Sequence, residues 1–191
     1  MLKEALRYIA KDLDQFLMRN YHSQENRVIL GNILEQDGST PEENRNKILL
    51  TLISLEHETH MTSTRFGKAS GNGYAKSNPP LMFNLDIMFS AFFNQYDESL
   101  KFLSDTIYFF QAKPLFTHDN SPGLDPKIDQ MSLEVIRMTS AETHNLWTSL
   151  GAKYVPSIPF KLRLLSFQSD QVIQIVSSMQ AHGSISKPVS A

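Results

Sequence analysis

The sequence predicts an α/β fold, with one mixed β-sheet of five to six strands and about three helices packed on it. Three observations carry that reading. Leu2, Leu6, Ile9, Leu13, Phe16 and Leu17 recur at three-and-four spacing, the stripe of an amphipathic helix over residues 1–20. Several later segments alternate like strands, most clearly Leu81–Phe93. After Pro79, strand-like and helix-like segments follow one another in turn.

The elements follow in order. The charges of the first helix, Lys3, Glu4, Arg7, Lys11, Asp12 and Asp14, fill its remaining faces with mixed sign. A membrane-surface helix would want a cationic polar face, which Glu4, Asp12 and Asp14 oppose. Arg27–Leu34 reads as a short strand, and the polar stretch Glu35–Asn46 carries the turn formers Asp37-Gly38 and Pro41. Lys47–His57 is apolar on both faces, as an inner strand of a covered sheet would be. His60–Pro79, rich in Gly and Ser, reads as a long loop whose charges, Arg65, Lys68 and Lys76, are all basic. Leu81–Phe93 then sets Leu81, Phe83, Leu85, Ile87 and Phe89 on one face and Met82, Asn84, Asp86, Met88 and Ser90 on the other.

Asp97 is the candidate cap of a helix over Glu98–Ala112, with Leu100, Leu103, Ile107 and Phe110 on its inner stripe. Pro114 ends that helix, and Leu115–Thr117 is a short strand. Met131–Met138 is a further strand with Leu133 and Val135 on one face. Thr139-Ser140-Ala141-Glu142 matches a capping box, opening a helix that carries Leu146, Trp147 and Leu150 and stops at Gly151. Pro156 and Pro159 bracket the entry to a strand over Phe160–Gln168, and Val172–Val176 is a candidate for one more. This layout gives one domain over residues 1–180 and a small, polar tail over 181–191 that is expected to be mobile.

Composition narrows the function classes. The chain has 191 residues, with 18 Lys and Arg against 20 Asp and Glu, for a net charge of −2. Nucleic-acid binding by counterion release favours a basic domain, so no nucleic acid is expected. With no cysteine, disulfide scaffolds, thiolate zinc sites and cysteine nucleophiles are excluded. Met1–Leu17 is interrupted by charges and does not read as a signal peptide, so synthesis in the cytoplasm without a leader is expected. No apolar run reaches the ~18 residues of a membrane span, and no direct membrane insertion is expected.

The candidate chemical motifs are weak. Glu56-His57-Glu58-Thr59-His60 is one residue short of the zinc motif H-E-x-x-H, and on a strand His57 and His60 fall on opposite faces. His118-Asp119 and Glu142-His144 lack a nucleophile signature, and Gly71-Asn72-Gly73 lacks the spacing of a phosphate cradle. Arg65, Lys68 and Lys76 form a basic patch without interleaved aromatics, which reads first as a solvated loop. No catalytic residue, metal site or cofactor is expected.

Two passages resemble a known family. Pro79-Pro80-Leu81-Met82-Phe83-Asn84-Leu85 resembles its "P-P-L-x-x-N-L" strand entry. Leu146-Trp147-Thr148-Ser149-Leu150-Gly151-Ala152-Lys153-Tyr154-Val155-Pro156-Ser157 resembles its "L-W-x-x-L-G-x-x-Y-x-P-S" helix-to-strand passage. The family is the cap, or tail-terminator, proteins of extracellular contractile injection systems, of the antifeeding-prophage and Photorhabdus virulence cassette type. In this chain the matching positions have fold-making roles. Pro79 and Pro80 set where the strand begins, Asn84 is expected to satisfy a neighbouring backbone group, Trp147 anchors beneath the sheet, and Gly151 permits a left-handed helix stop.

The resemblance implies a tail-terminator-like fold and a structural, non-enzymatic subunit. It implies a homo-hexameric ring that ends tube and sheath polymerisation, and a particle released outside the cell. Implied partners are other copies of the chain and the inner tube and sheath proteins; a related second cap subunit stays an open alternative. Arg65, Lys68 and Lys76 are the candidate assembly contacts, and no extra C-terminal module is expected. The competing readings are an assembly adaptor or chaperone and, behind it, a small hydrolase.

Overall fold

The computed structural model describes residues 1–58, 67–70, 73–77, 81–167 and 172–177. Among the described residues three α-helices, α1 (Leu2–Tyr21), α2 (Tyr96–Ala112) and α3 (Ser140–Ser149), accompany nine strands. These are β1 (Val28–Leu30), β2 (Lys47–His57), β3 (Gly67–Ser70), β4 (Gly73–Ser77), β5 (Leu81–Phe92), β6 (Leu115–Thr117), β7 (Gln130–Val135), β8 (Ser157–Phe167) and β9 (Val172–Ser177). Six strands form a mixed sheet in the order β1-β2-β5-β8-β7-β6, with β1 parallel to β2 and every other pairing antiparallel.

A second sheet, β3-β4-β9, corrects the long-loop expectation for His60–Pro79. Its order mirrors that of β2, β5 and β8, because β2 leads to β3, β4 to β5 and β8 to β9. Glycines and small polar residues in this stretch look like a loop by composition. Ladder pairing, of β3 with the adjacent β4 and of β4 with the distant β9, makes them strands where composition does not register it. Pro79, Pro80, Arg65 and the 181–191 tail lie outside the described residues.

Register divides the large sheet into two faces. Leu85 pairs with Leu162, which pairs with Leu133, and all three are buried on the side of α1 and α2. Ile48, Leu50, Ile87, Phe89 and Phe160 complete that core with Leu6, Ile9, Leu13 and Leu17 of α1. Burying a Leu, Ile or Phe side chain there contributes roughly 1.5–3 kcal/mol each. On the opposite face Leu49 and Met88 pack with Ile33 and Trp147 in a smaller cluster under α3. The expected double coverage of Lys47–His57 holds for its first half; Glu56 and His57 are exposed.

Several expectations are corrected by tertiary packing. In α2 the buried residues are Ser99, Phe102, Thr106, Phe109 and Phe110, while Leu100 is 42% and Ile107 38% exposed. The helix has two apolar stripes, and aromatic contacts select between them. Phe102 stacks on Phe93 at 4.5 Å, Phe109 meets Phe16 at 5.1 Å, and Phe110 meets Phe89 at 4.9 Å. Asp97 is not the cap. The helix starts two residues earlier, with Gln95 at the cap and no side-chain cap bond, and Asp97 sits in the first turn, where the helix dipole favours it.

Asp14 is not on an exposed face either. It is turned inward and accepts from the backbone N–H groups of Arg27 at 2.6 Å and Val28 at 2.9 Å. β1 is three residues long rather than spanning Arg27–Leu34, and β8 begins at Ser157 rather than Phe160. Val135 faces the same way as Leu133 but, as the last residue of β7, is 58% exposed.

Candidate assembly surfaces

The passage from Thr139 to Ser157 is built as its residues dictate. Thr139 Oγ1 accepts from the Glu142 N–H at 3.3 Å, and the Glu142 carboxylate accepts from the Thr139 N–H at 2.7 Å, closing the capping box. The Thr139 donors hold the Glu142 carboxyl below the usual glutamate range. Gly151 adopts φ +67, the left-handed conformation that a β-carbon would strain. Trp147 is 4% exposed and meets Tyr154 at 5.6 Å, with Leu146 and Leu150 packed beside it. Trp147 Nε1 and Ser90 Oγ, both buried on this face, have no hydrogen-bond partner among the described residues. Pro156 accepts the Ala91 N–H through its carbonyl, and Ser157 pairs with Ser90, so this passage joins β8 to β5.

Beyond α3 the same sheet face carries a row of charges. Lys161 of β8 lies between Asp86 of β5 and Glu134 of β7 in register. Its ammonium donates to Glu56 at 2.6 Å and stands 3.5 Å from Asp86, while Arg163 donates to Glu134 at 3.0 Å. Asn84 donates to Glu58 at 2.9 Å, so its partner is a carboxylate and not the expected backbone group. The Glu56 hydrogen bond raises the Lys161 pKa, which keeps the amine a cation rather than a nucleophile. Burial pushes the Asp86 carboxyl up, and the longer contact with Lys161 does not offset it. The row acts as fixed cross-strand pairing, setting the register of the long strands.

The candidate assembly residues are placed as follows. Lys68 lies in β3 and Lys76 in β4, where Lys68 pairs with Ala75 and Lys76 with Gly67. Leu81 opens β5. His57 ends β2 with its ring 5.4 Å from Phe83, and His60 lies outside the described residues. Among the described residues no group of three His, Asp or Glu is placed to hold a metal ion. No described helix is long and apolar enough to cross a membrane.

A surface that sequence reasoning missed lies at the start of α2. A cleft of about 420 Å³ is bordered by Tyr96, Tyr154, Arg45, Phe93 and Pro156. Tyr96 is 66% and Tyr154 64% exposed. Tyr96 with Leu100 and Ile107 gives α2 an outward apolar stripe, legible as the second of its two stripes once the first is known to be buried.

Comparison with known proteins agrees with this architecture. Residues 8–178 match the family model described as the Pvc16 N-terminal domain. The fold is similar to the "PVC sheath/tube terminator in extended state" of an extracellular contractile injection system, seen by cryo-EM. The TM-score is 0.60 at 11% identity, over 96% of this chain and 64% of that one. It is also similar to "the anti-feeding prophage cap (AFP tube terminating cap)", with a TM-score of 0.55 at 13% identity, over 94% of this chain and 60% of that one. The chain thus spans less than two thirds of either solved chain. Comparison with curated proteins finds no match.

Proposed function

The chain belongs to the Pvc16 N-terminal domain family, and on that premise we propose that it is a structural subunit capping the end of a contractile injection particle. The observation that carries this reading is the coincidence of two independent likenesses. One sequence family covers residues 8–178, and the fold that is shared with two tube-terminating proteins covers nearly the whole chain. Among the residues of the second family passage, Trp147 packs in the smaller core cluster, Gly151 turns with φ +67 and Ser157 pairs with Ser90, which supports fold-making roles.

The subunits form a ring, hexameric by resemblance, that sits on the last layer of tube and sheath. A head-to-tail contact closes when its rotation divides a full turn, and the ring then offers no copy of its lower face above. Growth stops for geometric reasons. The partners are the inner tube and sheath proteins, and the particle acts outside the producing cell. Lys68 and Lys76, with Arg65, belong to the contacts with these neighbours. The cap is not an enzyme and works by shape.

Deleting the gene and measuring particles by electron microscopy tests the cap reading. Tubes of irregular length with open or frayed ends are expected, restored by the wild-type gene. Uniform particles with intact ends overturn it, as does a chain that aids assembly yet is absent from finished particles, the behaviour of a chaperone.

A further inference from the structure

Read as a sequence, the first helix mixes both signs of charge; as folded, its acids are paired or turned inward while three of its cations form no ion pair. Asp14 points inward to β1. Asp12 is paired with Lys113 at 2.7 Å, and Glu4 is paired with the Met1 amino group. Lys3, Arg7 and Lys11, four residues apart on one exposed ridge, form no ion pair among the described residues. Arg7 and Lys11 also border two cavities, one on each side of α1. One, of about 510 Å³, is walled by Glu4, Asp12, Pro122 and Asp125; the other, of about 370 Å³, by Asp14, Asn26, Leu30 and Glu43. The ridge is therefore a strip of three unpaired cations between two troughs whose walls carry carboxylates, in a chain whose net charge is −2.

An exposed acidic segment lies on another element. Between β1 and β2, Glu35, Asp37 and Glu42 lie within eight residues that contain no cation. All three are exposed, and none is in an ion pair among the described residues. The loop is compact. Glu35 N–H donates to the Ser39 carbonyl at 2.8 Å, Gly38 turns with φ +82, and Asp37 accepts from the Ser39 N–H at 2.9 Å and hydroxyl at 2.7 Å. It is a formed acidic knob.

We infer that the Glu35–Glu42 knob of one copy docks on the Lys3–Arg7–Lys11 ridge of the next. The inference rests on the cap reading for its expectation that copies meet in a ring. A head-to-tail contact needs two different, complementary surfaces on one chain, and these two supply them. Attraction between exposed charges is screened over a Debye length, about 8 Å at physiological salt, so the contact weakens as salt rises.

The test is self-association of the purified full chain, followed by sedimentation at low and high salt, with circular dichroism as the folding control. The Arg7→Glu/Lys11→Glu variant alone, and the Glu35→Lys/Glu42→Lys variant alone, each set like charge against like and should associate roughly tenfold or more weakly than wild type. Mixing the two restores one wild-type and one charge-swapped contact per pair, and association should return. Variants that associate like wild type, a mixture that stays dissociated, or a wild type that is monomeric at every salt concentration overturns the inference. Association unaffected by these variants while wild type alone floats with phosphatidylserine vesicles assigns the ridge to anionic membranes instead, and likewise overturns it. The cap reading stands or falls separately, on particle ends in the deletion strain.

Discussion

Helices α1 and α2 lie on the same face of the same sheet, yet one buries the stripe its sequence announces and the other does not. In α1 a single apolar stripe competes with nothing, and Leu6, Ile9, Leu13 and Leu17 are all buried. In α2 two apolar stripes compete, and phenylalanine contacts with Phe16, Phe89 and Phe93 decide for Phe102, Phe109 and Phe110. Periodicity sets a helix's orientation only when it is not degenerate. Where it is degenerate, the losing stripe becomes exposed surface, here Tyr96, Leu100 and Ile107.

That contrast breaks most readily at Phe110, which is 2% exposed. Phe110→Ala should cost about 3–5 kcal/mol, as large-to-small core changes do, whereas Leu100→Ala should stay within about 0.5 kcal/mol. Urea unfolding of the two variants reads both values, and equal losses would mean that α2 is rotated from the orientation described. For α1 the corresponding test is Asp14→Ala. It leaves the Arg27 and Val28 N–H groups without their acceptor and should cost about 1–3 kcal/mol, whereas the same change at an exposed acid would cost almost nothing.

The third helix sharpens the comparison from the other side, since its start and stop were both written locally. Thr139→Ala should cost about 1 kcal/mol through loss of the cap, measured by urea unfolding, while Gln95→Ala at the uncapped start of α2 should cost a few tenths at most. The Glu142 carboxyl is held below its usual range, so its contribution is present above the ordinary glutamate pKa and is lost as pH falls through the lowered value. Trp147, the one tryptophan, sits on α3, and its fluorescence should report that acid loosening. Glu142→Gln should flatten the response.

Legibility followed the range of the interactions. Lys47–His57, the Thr139–Glu142 box and the Gly151 stop are encoded within a few residues and appear as read. The β3–β4–β9 sheet depends on pairing residues near position 74 with residues near 176, which no local window contains. The cationic ridge of α1 was hidden for the same reason. Asp12 is neutralised by Lys113 and Asp14 is consumed by β1, so the surface charge differs from the helix's own sum. The family passages, in contrast, were visible because turn and packing residues sit in consecutive order.

The most direct test of the central claim is a cryo-EM map of purified particles at the end of the tube. Density for this fold, with its six-stranded sheet and α3 resting on it, is expected to repeat around the axis above the last tube and sheath layer. A different chain in that position, or this one located elsewhere in the particle, would contradict it.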